Sequence, residues 1–161
     1  MAKKDTKKTE PKKSDTLFEK FGEMGSAKEL NMCADGFHEE GDIESLKAFA
    51  VENGFTEEDV LNYVKAKETN QTAEFCNPIS AAMAKLDLEA KSSSEKKAAT
   101  LLKSELDDID LAEGIRRKGK RLEKAFEAMK EEARKIQVNG CGMISDLEGL
   151  EIMKEYYKEA V

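Results

Sequence analysis

The chain has 161 residues, of which 38% are charged and 39% hydrophobic, with no tryptophan. That balance limits any core to Leu, Ile, Met, Ala and a few Phe, and suits thin-cored helical units rather than a large enzyme domain. No apolar run approaches the roughly 20 residues that span a bilayer, and no apolar segment follows the lysine-rich start, so neither membrane nor secretory export is expected. Three widely spaced cysteines (Cys33, Cys76, Cys141) make a poor disulfide framework. A reduced, cytoplasmic protein is the expectation.

The formal charge of -7 is unevenly distributed. Residues 1–15 carry six lysines against three acids, and residues 16–115 carry ten cations against 22 anions. Residues 116–161 carry eleven cations against nine anions. Such polarity points to charged macromolecular partners more than to a small-molecule pocket.

Residues 1–15 contain almost nothing apolar and read as a disordered basic tail. From Thr16 the pattern is helical. Leu17, Phe18 and Phe21 form a short apolar patch, and Ser26 is placed to cap a helix with Leu30, Cys33, Ala34 and Phe37 on one face, ending at Gly41. Asp42 caps a second helix carrying Ile43, Leu46, Phe49 and Ala50, which stops at Asn53-Gly54. Thr56 caps a third, with Phe55 stapled onto Val60, and Val60, Leu61 and Val64 are expected to face inward. A polar connector over residues 65–72 leads to Asn77-Pro78, which opens a helix with Ile79, Ala82, Met83 and Leu86 inward. Ser92 to Ser94 break the chain before a helix through Ala98, Leu101, Leu102 and Leu106, and Asp107, Asp108 and Asp110 suit the start of the next. The main C-terminal helix is expected from about Lys120 to Gln137, with Asn139-Gly140 stopping it. Ser145 and Glu148 form a capping box for a last helix whose Leu147, Leu150, Met153 and Tyr157 pack back.

The chain therefore reads as all-α. Two small helical modules, residues 16–68 and 114–161, are joined by an acidic helical connector over residues 69–113, behind the basic tail of residues 1–15.

The densest chemical feature is Arg116, Arg117, Lys118, Lys120, Arg121 and Lys124, six cations in nine residues. At a helix start they oppose the macrodipole at a cost of a few tenths of a kcal/mol or more each. This placement makes them the candidate site for phosphates or an acidic protein surface, with nucleic acid or a nucleoprotein complex as the expected partner. The competing reading is a solvated face, partly neutralised by Glu123, Glu127 and Glu131. No aromatics are interleaved with the cluster, so base stacking is not supported.

Glu39, Glu40, Asp42 and Glu44 form an acidic interaction patch, with Glu57, Glu58 and Asp59 a second one. Such patches can mimic a nucleic-acid backbone, although acids at a helix N-terminus also serve stability. Cys141 between two glycines lacks a base, since His38 lies in the other half of the chain. Cys33, His38, Cys76 and Cys141 lack the paired short spacings of a zinc site. No catalytic residues, metal site or cofactor are assigned, and the chain is read as non-enzymatic.

The run from Gly114 to Phe126, then Ala133-Arg134-Lys135, the Asn139-Gly140-Cys141-Gly142 loop, Ile144-Ser145-Asp146 and Tyr156-Tyr157 resembles PcfK-like proteins over about a quarter of the chain. It departs at Lys154-Glu155, where family members often carry a His before the tyrosines. The resemblance implies an accessory protein of conjugative elements and prophages, and brings no catalytic residues with it. That setting raises a second function, inhibition of a host defence nuclease by steric or charge occlusion. Self-association is left open by the sequence.

Overall fold

The computed structural model describes residues 17–135 and 145–159, which form eight helices and no strand. The expectations for residues 1–15 and for the Asn139 to Ile144 loop, including Cys141, lie outside the described residues.

The helices are α1 (Ala27–Glu40), α2 (Ile43–Glu52), α3 (Glu57–Thr69), α4 (Pro78–Glu89), α5 (Ser93–Lys103), α6 (Ile109–Arg116), α7 (Leu122–Lys135) and α8 (Asp146–Lys158). Local sequence dictates most of their starts. The side chains of Ser26, Asp42, Thr56, Asn77, Ser92, Asp108 and Ser145 each accept a backbone N–H from the first turn. These caps satisfy donors that would otherwise be orphaned. At Thr56, Asn77, Ser92 and Ser145 a reciprocal side chain completes a capping box. Gly41 ends α1 in the left-handed conformation.

Two hydrophobic clusters result. The first packs Leu30 and Ala34 of α1, Leu46, Phe49 and Ala50 of α2, and Val60 and Tyr63 of α3. Its aromatic rings meet edge-on, Phe21 against Phe37 and Phe49, and Phe75 against Phe55 and Tyr63. The second joins α4 to α8 through Leu86, Leu102, Leu111, Ile115, Leu122, Leu150 and Tyr157.

Helix α4 serves both clusters, with Ala81 and Ala84 in the first and Ala82 and Leu86 in the second. Residues 69–113, expected as a connector, thus contain the middle of the fold. Apart from Glu89, whose side chain is only 6% exposed, their acids are exposed or half-buried while small alanines bury, a pattern that a scan for large apolar residues under-reads. Two glycines allow the close approaches this requires. A Cβ on Gly54 (φ +94°) would lie 2.2 Å from the Ala84 carbonyl oxygen, and one on Gly114 would lie 2.3 Å from that of Tyr157.

Three inward assignments are corrected. Leu61, Met83 and Leu147 are exposed, by 54%, 39% and 75%. Tyr63 and Lys85 turn inward in α3 and α4 in their place. In both helices the register is set by tertiary packing, which overrides one apolar residue at the edge of the stripe.

Candidate interaction surfaces

The six cations do not form one surface. Arg116 lies in the last turn of α6, at a helix C-terminus where positive charge is favourable, and it is 99% buried. Its Nε donates to the Met24 carbonyl (3.1 Å), and NH1 donates to the carbonyls of Asn53 and Ala81 (3.2 Å each). NH2 donates to Asn53 Oδ1. One guanidinium therefore ties α6 to the C-cap of α2, to α4 and to the segment preceding α1. Burial pushes its pKa down to about 10, so it remains charged at neutral pH.

The balancing charge sits in the Gly22–Gly25 segment. Glu23 accepts two hydrogen bonds from Arg121 (2.8 and 2.9 Å), one from Lys85 Nζ (3.0 Å) and one from the Gly119 N–H (3.2 Å). Burial alone would raise the Glu23 pKa, but the Arg121 hydrogen bonds and the Lys85 charge outweigh it and hold it at about 2. Lys85, 1% exposed, also donates to the Arg117 carbonyl, and burial lowers its pKa to about 8. Glu89 accepts the Leu122 N–H at 2.7 Å and so caps α7 from the end of α4. Burial raises the Glu89 pKa against the pull of Lys85.

Phe18 closes this polar seam. Its ring centroid lies 5.8 Å from the Arg116 guanidinium and 5.5 Å from that of Arg121. To reach there the residue adopts φ 61°, unusual for an aromatic residue, and Gly22 N–H bonds to its carbonyl. Glu52 of α2 fixes the segment by accepting the N–H groups of Lys20 and Phe21, both at 2.8 Å.

Lys120 is also buried, donating to the Tyr156 carbonyl at 2.7 Å with its ammonium 4.3 Å from that ring centroid. Arg116, Lys120 and Arg121 are thus interior groups with protein partners, which corrects the expectation that they share an exposed cationic face. Arg117 is half-buried, its NH1 3.3 Å from the Glu159 carbonyl, while Lys118 and Lys124 are exposed. For Arg116 and Arg121 the physical reason is sequence-distant, since Asn53 and Glu23 supply acceptors from the other half of the chain, while Lys120 is taken up by Tyr156 of α8.

The acidic residues lie differently. Glu39, Glu40, Asp42 and Glu44 are all exposed, around the turn between α1 and α2. Asp42 is occupied as the cap of α2, and its hydrogen bonds from Ser45 lower its pKa. Glu44 lies 3.9 Å from Lys47. Glu44 and Glu57, one from each acidic patch, line a common groove of about 640 Å³ along the outer face of α2.

The remaining titratable candidates are packed into the first cluster. The His38 ring meets Tyr63 edge-on at 5.7 Å, Tyr63 donates to Asp35, and Lys67 pairs with Asp35 at 3.2 Å. Burial pushes the Cys76 thiol up to about 12, which leaves it a poor nucleophile. Cys76 is held by Asn31, which exchanges hydrogen bonds with its backbone N–H and C=O. Among the described residues no group of three or more His, Cys, Asp or Glu is arranged to hold a metal ion, and no helix is long and apolar enough to cross a membrane.

Sequence reasoning missed Glu23, Asn53, Lys85 and Glu89. Lys85 was findable, since it falls on the inward stripe of α4 with Ala81, Ala82 and Leu86. Glu23, between two glycines, carries no such signal. Comparison with family models, with curated proteins and with solved structures gives no match to this chain.

Proposed function

We propose that this chain is a non-enzymatic accessory protein of a phage or conjugative element that binds a macromolecular partner, and that its acidic face carries the contact. The observation that supports this is the contrast in exposure. Glu39, Glu40, Asp42 and Glu44 present their charge to solvent, whereas Arg116, Lys120 and Arg121 are consumed inside the protein. An exposed acidic face on a chain of net charge -7 fits a partner whose own surface is basic, such as the nucleic-acid groove of a protein. Inhibition of a bacterial defence nuclease by charge occlusion follows as the specific form of this reading, in keeping with the mobile-element setting implied by the PcfK-like resemblance.

The test uses full-length protein. Glu39→Gln, Glu40→Gln, Asp42→Asn and Glu44→Gln together are expected to abolish protection of a plasmid targeted by a Cas-type nuclease, while the far-ultraviolet circular dichroism stays unchanged. Full protection by this variant would sink the assignment of the face.

The second reading is direct binding of nucleic acid or a nucleoprotein complex by the cations that do reach solvent. Arg117, Lys118 and Lys124 support it, as all three flank the turn between α6 and α7. Replacing these three with Gln is expected to weaken binding to DNA and to flatten its salt dependence. Retention of a DNA-bound fraction with an unchanged salt slope would remove this reading.

A further inference from the structure

The groove along α2 runs between two walls. One wall is the segment from Leu17 to Lys20, and the other is the outer face of α2. Four acids line it, Glu19, Glu44, Glu52 and Glu57, against two cations, Lys20 and Lys47. Its apolar floor is Ala48 and Val51, and Val51 is 52% exposed. The walls are fixed relative to each other, because Glu52 accepts the backbone N–H groups of Lys20 and Phe21.

We propose that this groove seats a lysine-rich segment, and that the occupant is the chain's own residues 1–16. Three observations carry this. The segment joins the fold at Leu17, which itself lines the groove. Residues 1–15 bring six lysines against three acids, opposite in sign to the groove. The reach also fits. Lys12 and Lys13 precede Leu17 by five and four residues, a span of roughly 15 Å when extended. Helix α2, with Glu44 in its first turn and Glu57 just beyond its end, is about 15 Å long at 1.5 Å per residue.

Apolar residues are scarce in residues 1–15, but lysine does not need them to cover the floor. Its methylene stem lies along apolar surface while its ammonium reaches a carboxylate, so Lys12 or Lys13 can shield Val51 and pair with Glu44 or Glu57 at once. Each such pair is weak on its own. Tethering makes up for this, because a short linker holds the segment at a millimolar effective concentration. Because Glu44 belongs to the acidic face as well, the arm competes with any basic partner there. That consequence rests on the function proposed above, whereas the docking does not.

The test compares amide nuclear magnetic resonance spectra of two full-length proteins, the natural chain and one with Lys3, Lys4, Lys7, Lys8, Lys12 and Lys13 changed to Gln. At low salt the two are expected to differ at Lys47, Ala48, Val51 and Glu57. The difference should vanish near 1 M salt, where the screening length is roughly 3 Å. Glu44→Gln with Glu57→Gln in the natural chain should erase it as well. Differences confined to residues 1–20, or unaffected by salt, would overturn the proposal. Differences that grow with protein concentration would also overturn it, by making the occupant a second copy's arm. No partner takes part, so failure of the plasmid-protection assay and failure of the docking are read separately.

Discussion

The basic run from Arg116 to Lys124 and the acidic run from Glu39 to Glu44 look alike on paper, each a short stretch crowded with one sign of charge. In the folded chain they are opposites. Arg116, Lys120 and Arg121 point inward and meet acceptors contributed by residues as distant as Glu23 and Asn53, while Glu39, Glu40, Asp42 and Glu44 meet solvent. Charge density in a sequence therefore says little about where the charge goes. What decides it is whether some remote segment supplies a counter-charge or a set of carbonyls, since a buried ion without them costs several kcal/mol.

The sharpest way to break this contrast is to remove the buried guanidinium. Arg116→Met leaves the carbonyls of Met24, Asn53 and Ala81 and the Asn53 side chain without their donor. A loss of about 3–5 kcal/mol in urea unfolding is expected. Lys118→Gln and Lys124→Gln, from the same run but exposed, should each change stability by less than about 0.5 kcal/mol. Equal effects at Arg116 and Lys118 would erase the distinction between interior and surface cations.

Glu23 gives the distinction a pH signature. Its pKa falls from 4.5 to about 2 on folding, a depressed carboxylate. Its contribution is therefore fully present above pH 4.5 and is lost as pH falls toward 2. Solvent screening of this partly exposed carboxylate holds the contribution to about 1–3 kcal/mol. Stability measured between pH 5 and 2 should fall for the natural chain, and the slope should be shallower for Glu23→Gln, which starts from a lower plateau because Arg121 and Lys85 lose their shared carboxylate. Parallel slopes would show that Glu23 is not the group being titrated.

How much of this is legible in the sequence alone follows from where the information lies. Helix starts are local, so Ser26, Asp42, Thr56, Asn77 and Ser145 could be read as caps from their neighbours alone. The all-α class follows from the same caps and from helical periodicity. The polar seam is not local. Nothing near Glu23 marks it as the acceptor for Arg121, 98 residues away. Alanines hid half of the role of α4: Ala82 was expected inward, but Ala81 and Ala84 become core only through packing on the first three helices and the close approach of Ala84 to Gly54. The acidic patch was legible as charge and as exposure, since its acids cluster at helix ends, where the chain turns through solvent.

A smaller effect is expected at Lys85, and its sign discriminates between two roles. Burial lowers its pKa to about 8 from 10.5, so the unfolded chain holds this proton more tightly than the folded one. Between about pH 8 and 10.5 the Lys85 contribution should then rise with pH, the reverse of an exposed lysine that gains an acidic partner. Lys85→Met removes the desolvation cost but also a hydrogen bond to Glu23 and one to the Arg117 carbonyl. These opposing terms should leave a net change of about 1–2 kcal/mol at pH 7, below that of Arg116→Met, and remove the alkaline rise. Were Lys85→Met to match Arg116→Met in cost while keeping that rise, the seam would be a set of equivalent ion pairs. The hydrogen bonds argue otherwise. Lys85 has Arg121 beside it on the same carboxylate, whereas Arg116 reaches backbone carbonyls on three separate segments, at Met24, Asn53 and Ala81.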